Sequence, residues 1–162
     1  MPPDICPCGS GKSYVRCCGP YIDDGRKPDT AEQLMRSRYT GFVLAREAYL
    51  AHTWHPSTRP ADMGVAVTDA VKWLGLEIRR TQAGGPDDTG GTVEFVARYK
   101  QNGRATRLHE VSRFVREDGQ WLYTWTAPFP TRKHSHASLP RFPMKARAFC
   151  RYAWLAASHA PS

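Results

Sequence analysis

Residues 91–127, GTVEFVARYKQNGRATRLHEVSRFVREDGQWLYTWTA, hold the pattern that decides the fold. Three runs, near 91–101, 105–117 and 120–127, alternate apolar and polar side chains with the period of two expected of strands that bury one face. Asn102-Gly103 and Asp118-Gly119 separate them. Both central positions of a type I′ turn need positive φ, which these dipeptides tolerate best. A fourth run near 73–82 is set off by Gly84-Gly85-Pro86, so the four together predict an antiparallel meander.

Upstream the period changes. After a polar, turn-rich linker over 23–29, Thr30 stands as an N-cap with Gln33 three residues on, a capping-box start signal. Leu34, Met35, Arg38, Tyr39 and Phe42 then share one helical face. A second helical segment over Glu47 to Thr53 turns Tyr49, Leu50 and Thr53 toward the core, and His55-Pro56 ends it. Residues 60–72 read as a short helix carrying Met63, Val67, Val71 and Trp73.

Helices followed by a curved antiparallel sheet predict an α+β fold, the helices packed across the concave face so that a cone-like pocket can form. Alternation along the third strand puts Leu108, Glu110, Ser112 and Phe114 on one face, so Glu110 sits among apolar neighbours and must be paired or functional. Arg38, on the apolar stripe of the first helix, is its natural partner. Arg38, Tyr39, His55, Glu110 and Ser112 are the candidate pocket residues. Two roles stay open for them: structural ion pairing and core packing, or an enzyme site with Glu110 as base and Arg38, Tyr39 and His55 orienting a polar substrate.

Near the start, Cys6-Pro-Cys8 and Cys17-Cys18 give the spacing CxCx8CC, four of the five cysteines within thirteen residues. Zinc prefers a closed set of four thiolates, and two close pairs joined by a short loop supply one. Gly9 and Gly11 allow the tight path after the first pair. Lys12 and Arg16 can offset the formal charge of about −2 on a zinc tetrathiolate. So short a module has almost no core, so metal binding would supply most of its folding free energy. Four protein ligands leave no open position, which argues for one structural zinc and against a catalytic one. A disulfide framework, an iron site and a redox dithiol are the competing readings.

The chain has 162 residues, 41% hydrophobic, enough for one main core and a small appended module. No apolar run reaches the length needed to cross a bilayer and no secretory leader is evident, so a cytoplasmic protein without membrane insertion is expected. The net charge is +8, of which residues 131–162 contribute six Lys/Arg and no acid. That basic tail could meet nucleic acid or ribosomes. The expected organisation is a zinc module over 1–20, an α+β domain over 28–128 and a basic extension over 129–162, helical from about 143. Cys150 lies in that extension and is expected to be an inert thiol.

The segment CPCGSGK with Tyr14 and the closing Cys17-Cys18 resembles the SEC-C motif, found at the end of the SecA translocation ATPase. The resemblance implies that Cys6, Cys8, Cys17 and Cys18 are zinc ligands and that the module docks a protein partner. The chain to about residue 127 also resembles the YchJ family of bacterial proteins. The matching stretches are Leu34 to Tyr39 with Phe42, Tyr49-Leu50, Thr53 to Pro56, Trp73 to Leu76, Val93 to Tyr99, Glu110 to Phe114 and Gly119 to Trp121. That family joins a SEC-C motif to a domain similar to nuclear transport factor two, which implies a cone-shaped sheet. The pattern departs after the fourth strand, where Tyr123-Thr124-Trp125-Thr126-Ala127 replaces the usual Tyr-x-Asp-Gly and no second CxCx8CC follows. An interaction protein acting through the zinc module is the leading reading. A small-molecule ligand or substrate in the cone, and nucleic acid or ribosome on the tail, are the alternatives.

Overall fold

The computed structural model describes residues 1–61 and 71–127. The expected helical extension, Cys150 and most of the short helix over 60–72 lie outside them. Along the chain run a 3-10 turn at Tyr14–Arg16, helices α1 (Gly19–Ile22), α2 (Ala31–Val43) and α3 (Glu47–His52), and strands β1 (Val71–Ala83), β2 (Gly90–Gln101), β3 (Arg104–Glu117) and β4 (Gln120–Ala127). The strands form one antiparallel sheet in the order β1-β2-β3-β4, the meander that the turn residues predict. Asn102 and Gly103 take φ of 49° and 77°, and Asp118 and Gly119 take 50° and 73°, as the hairpin turns require. Val71 and Trp73, expected on a helix, open β1 instead. A short apolar run fits either period, and Trp73 pairs with Tyr99 of β2, which decides for the strand.

Helix α2 begins as its residues predict. The Thr30 hydroxyl accepts from the Gln33 N–H at 3.2 Å. The reciprocal bond differs by one residue, the Gln33 side chain accepting from the Asp29 N–H at 2.7 Å. Ala31 N–H also donates to the Gly84 carbonyl at 2.9 Å, which seats the helix start on the β1–β2 turn. A Cβ on Gly84 would meet that of Ala31 at 2.7 Å, so glycine permits the close approach as well as the φ of +81°.

The core lies between α2, α3 and the concave face of the sheet. Leu34, Met35, Tyr39, Phe42 and Leu50 meet Val93, Phe95, Ala97, Phe114, Trp121 and Tyr123 there. Leu108, Glu110, Ser112 and Phe114 share that face, while His109, Val111 and Arg113 point away. The chain after α3 closes the β4 side. Trp54 bridges to Tyr123 in parallel, with His55 N–H donating to the Tyr123 carbonyl at 2.8 Å and Tyr123 N–H donating to that of Thr53 at 2.9 Å. Among the described residues no helix is long and apolar enough to cross a membrane.

Candidate metal centre

The four clustered cysteines converge. A two-residue bridge between Ile5 and Ser13, with Cys6 N–H donating to the Lys12 carbonyl at 2.9 Å, folds the first pair back over the loop. The 3-10 turn then presents Cys17 and Cys18. Gly9 and Gly11, at φ of 76° and 75°, make the bend. The four sulfurs all lie within 4.8 Å of one another, with Cys8 Sγ 3.5 Å from Cys17 Sγ and Cys17 Sγ 3.9 Å from Cys18 Sγ.

Tetrahedral thiolates about 2.3 Å from a central ion stand about 3.8 Å apart, so these separations fit one metal ion held by four sulfurs. All four are free thiols. Their hydrogen bonds to one another split their acidities. Cys8 is held far below the ordinary thiol range, chiefly by its bond with Cys18 and then by that with Cys6. Cys18 is pushed up, first by its bond with Cys6, then by that with Cys8 and by burial, and burial pushes Cys17 up to about 11.

A polar second layer supports the sulfurs. Ser10 Oγ lies 3.1 Å from Cys17 Sγ, and Thr40 Oγ1, on α2, lies 3.7 Å from Cys6 Sγ. Arg36 Nη1 donates to the Cys8 carbonyl at 2.9 Å, while its Nε donates to Glu32 at 2.9 Å. Lys12 and Arg16, expected to offset the cluster charge, are exposed; Arg36 is the cation that binds the module's backbone. Arg36 and Thr40 escaped the sequence reading. Their signal is the i, i+4 stripe Glu32, Arg36, Thr40 beside the apolar face of α2.

The module is seated on the main domain. Tyr14 is buried and donates from its hydroxyl to Asp23 Oδ2 at 2.8 Å. Ile22 and Leu44 pack against the cysteines. Gly9 rests on β1 so closely that a Cβ there would meet the Leu76 carbonyl oxygen at 2.7 Å. Two apolar side chains of the module face solvent, Ile5 63% and Val15 65% exposed.

Of the pocket candidates, Arg38, Tyr39, Glu110 and Ser112 are buried in the cone, Arg38 at 2% and Glu110 at 5% exposure. Glu110 stands opposite Phe95, and Ser112 opposite Val93. Arg38 Nη1 donates to the Leu50 carbonyl at 2.8 Å and to Thr53 Oγ1 at 2.7 Å. Its guanidinium also lies 5.1 Å from the Trp54 ring centre and 4.8 Å from that of Tyr123. These contacts give the arginine a structural role, tying α2 to α3 and β4. His55 lies apart from the other four, on the rim. Its Nδ1 accepts from the Ser57 N–H at 3.1 Å and lies 2.6 Å from Ser57 Oγ, so Nε2 carries the proton facing Glu117 Oε1 at 3.1 Å. With its lone pair taken up inside its own turn, His55 locks the 53–59 loop to the β3–β4 turn.

Residues 30–126 match the family model described as YchJ, middle NTF2-like domain. The chain belongs to the YchJ family. Residues 3–20 match the SEC-C motif, so the YchJ pairing of motif and domain is present. A UPF0225 protein of Ralstonia nicotianae is 56% identical over 133 residues, covering 75% of this chain and 90% of the relative. One from Bordetella parapertussis is 53% identical over 124 residues, with the same shares. Among solved structures, this YchJ chain is similar to a SEC-C motif containing protein from Rhodopseudomonas palustris determined in solution. The TM-score is 0.68 and the identity 33%, over 76% of this chain and 97% of that one. A crystal structure of a SEC-C motif containing protein from Psychrobacter arcticus gives a TM-score of 0.63 and 27% identity, over 82% and 85%.

Proposed function

We propose that this protein is a zinc-stabilised interaction protein that docks a protein partner through the outward side of its N-terminal module. The observation that carries the reading is the two-sidedness of the knuckle. Its inner side packs on α2 and β1, while its outer side leaves Ile5 and Val15 in solvent beside the exposed Lys12 and Arg16. Apolar side chains rimmed by charge are what a docking surface needs.

Zinc is the ion this donor set favours, because four soft thiolates in a closed tetrahedron suit a metal with no redox demand. Cys6, Cys8, Cys17 and Cys18 would be its ligands, and the ion would fix the loop that displays Val15. No position is left for substrate, so the ion's contribution is shape.

The test is metal analysis of reduced, purified protein, followed by capture of partners from the native cell with and without chelator. One zinc per chain, with partners lost on chelation and on Ile5→Glu/Val15→Glu, supports the reading. Metal-free protein that keeps its partners overturns it.

A further inference from the structure

We infer that the convex face of the sheet, at the β2–β3 hairpin end, is a docking surface for the sugar–phosphate backbone of a nucleic acid. The strand register places like charges directly opposite one another. Lys72 of β1 faces Lys100 of β2, and Arg98 of β2 faces Arg107 of β3. Alternation puts all four on the outer side of the sheet, away from Trp73, Tyr99 and Ala97. Like charges directly opposite on a sheet face destabilise it, and this face carries two such pairs side by side. Arg104, opposite Gln101 at the hairpin end, falls on the other side of the sheet by the same alternation and is not part of this set.

All four are exposed. Arg98 shares Glu77 with Arg79, at 3.4 Å and 3.2 Å. Among the described residues, no ion pair reaches Lys72, Lys100 or Arg107. The acids of this face sit further along, Glu77 engaged as above and Glu94 with His109 Nε2 at 2.8 Å. Arg98 thus borders the acidic stretch, while Lys72, Lys100 and Arg107 carry charge that no acid among the described residues offsets.

The chemistry favours a chain of phosphates. Cross-strand neighbours stand about 5 Å apart and same-face neighbours along a strand about 7 Å apart, a grid of cations that successive phosphates can follow. Arginine forks pair with phosphate oxygens two bonds at a time. A folded acidic protein or a bilayer would need apolar anchors as well. Of the exposed large apolar side chains among the described residues, this end has Leu74 alone, at the β1 bulge and 50% exposed, which is too little apolar surface to seat either. With phosphate contacts alone, binding would be sequence-independent and steeply salt-dependent.

The test uses the full chain and a fluorescein-labelled RNA of about 20 mixed nucleotides, followed by anisotropy between about 50 and 200 mM salt. Lys100→Glu/Arg107→Glu should weaken binding at least about tenfold and flatten the slope of log K against log salt by about 1.4, two phosphate contacts at about 0.7 each. The same variant should keep or raise the melting temperature, because Arg98 gains an acid opposite it. If the reversal lowers the melting temperature, Lys100→Gln/Arg107→Gln replaces it under the same criteria. Unchanged affinity and slope overturn the proposal. So does a loss that follows Lys12→Glu/Arg16→Glu while the sheet variant binds normally. Sheet-dependent binding to phosphatidylserine vesicles or polyglutamate without binding to RNA overturns it too.

Discussion

The Arg36 guanidinium, in the middle of α2, donates to the carbonyl of Cys8, 28 residues earlier in the chain, at 2.9 Å. It joins the metal loop to the helix that walls the cone, so the module and the core share an element.

Removing that bond should loosen the metal loop. Arg36→Ala is expected to lower metal affinity about 10- to 100-fold, the usual effect of losing a partner that orients a ligand, and to cost about 1.5–3 kcal/mol of stability. Competition against a chromophoric chelator and thermal melts would measure the two. Arg36→Lys should fall between wild type and Ala.

Metal affinity should rise with pH, because each thiol that binds the ion must give up its proton. In acid, protons win the sulfurs and the ion leaves. Apparent log affinity should climb by about one per pH unit for each proton displaced, read by the same competition at several pH values. A flat profile would speak against thiolate ligation.

Burial pushes the Tyr39 and Tyr49 hydroxyls up to about 12. Their folded pKa exceeds the unfolded value near 10, so the neutral form is favoured in the fold. Their stabilising effect is whole below pH of about 10 and is lost as pH rises from there toward 12. Alkaline unfolding followed by circular dichroism should coincide with the late phase of tyrosinate absorbance. Early ionisation in the native state would contradict the burial of these rings.

Much of this was legible in local signals. The N-cap of α2, the Asn-Gly and Asp-Gly turns and the alternation of β2 to β4 are written in neighbouring residues, and so is the cysteine spacing. The seat of the module was not, because Gly9 meets Leu76 and Arg36 meets Cys8 only through tertiary folding. Val71 and Trp73 were misread as lying on a helix, since a few apolar residues fit either period until a pairing strand is known. His55 was grouped with the cone residues, but a hydrogen bond to Glu117, far along the chain, holds it at the rim.

Gly9→Val should unseat the module. The position has a φ of 76°, strained for a β-branched residue, and the new Cβ would lie 2.7 Å from the Leu76 carbonyl oxygen. Stability is expected to fall by about 2 kcal/mol or more. The Cys6 and Cys18 thiols should react faster with a disulfide reagent. Unchanged thiol protection would mean that the seat on β1 matters little.

Arg38→Met keeps the volume but removes a buried donor and two ring contacts. A loss of about 3 kcal/mol is expected, measured by urea unfolding. The intrinsic fluorescence of Trp54 should change with it.

Because Gly9 and Cys8 are clasped by β1 and α2, the knuckle is not a detachable bead on a string. Transplanted alone onto another scaffold it would leave behind Arg36, Thr40 and the Leu76 strand that hold it upright. A graft intended to move its binding behaviour must carry the helix and the strand edge with it.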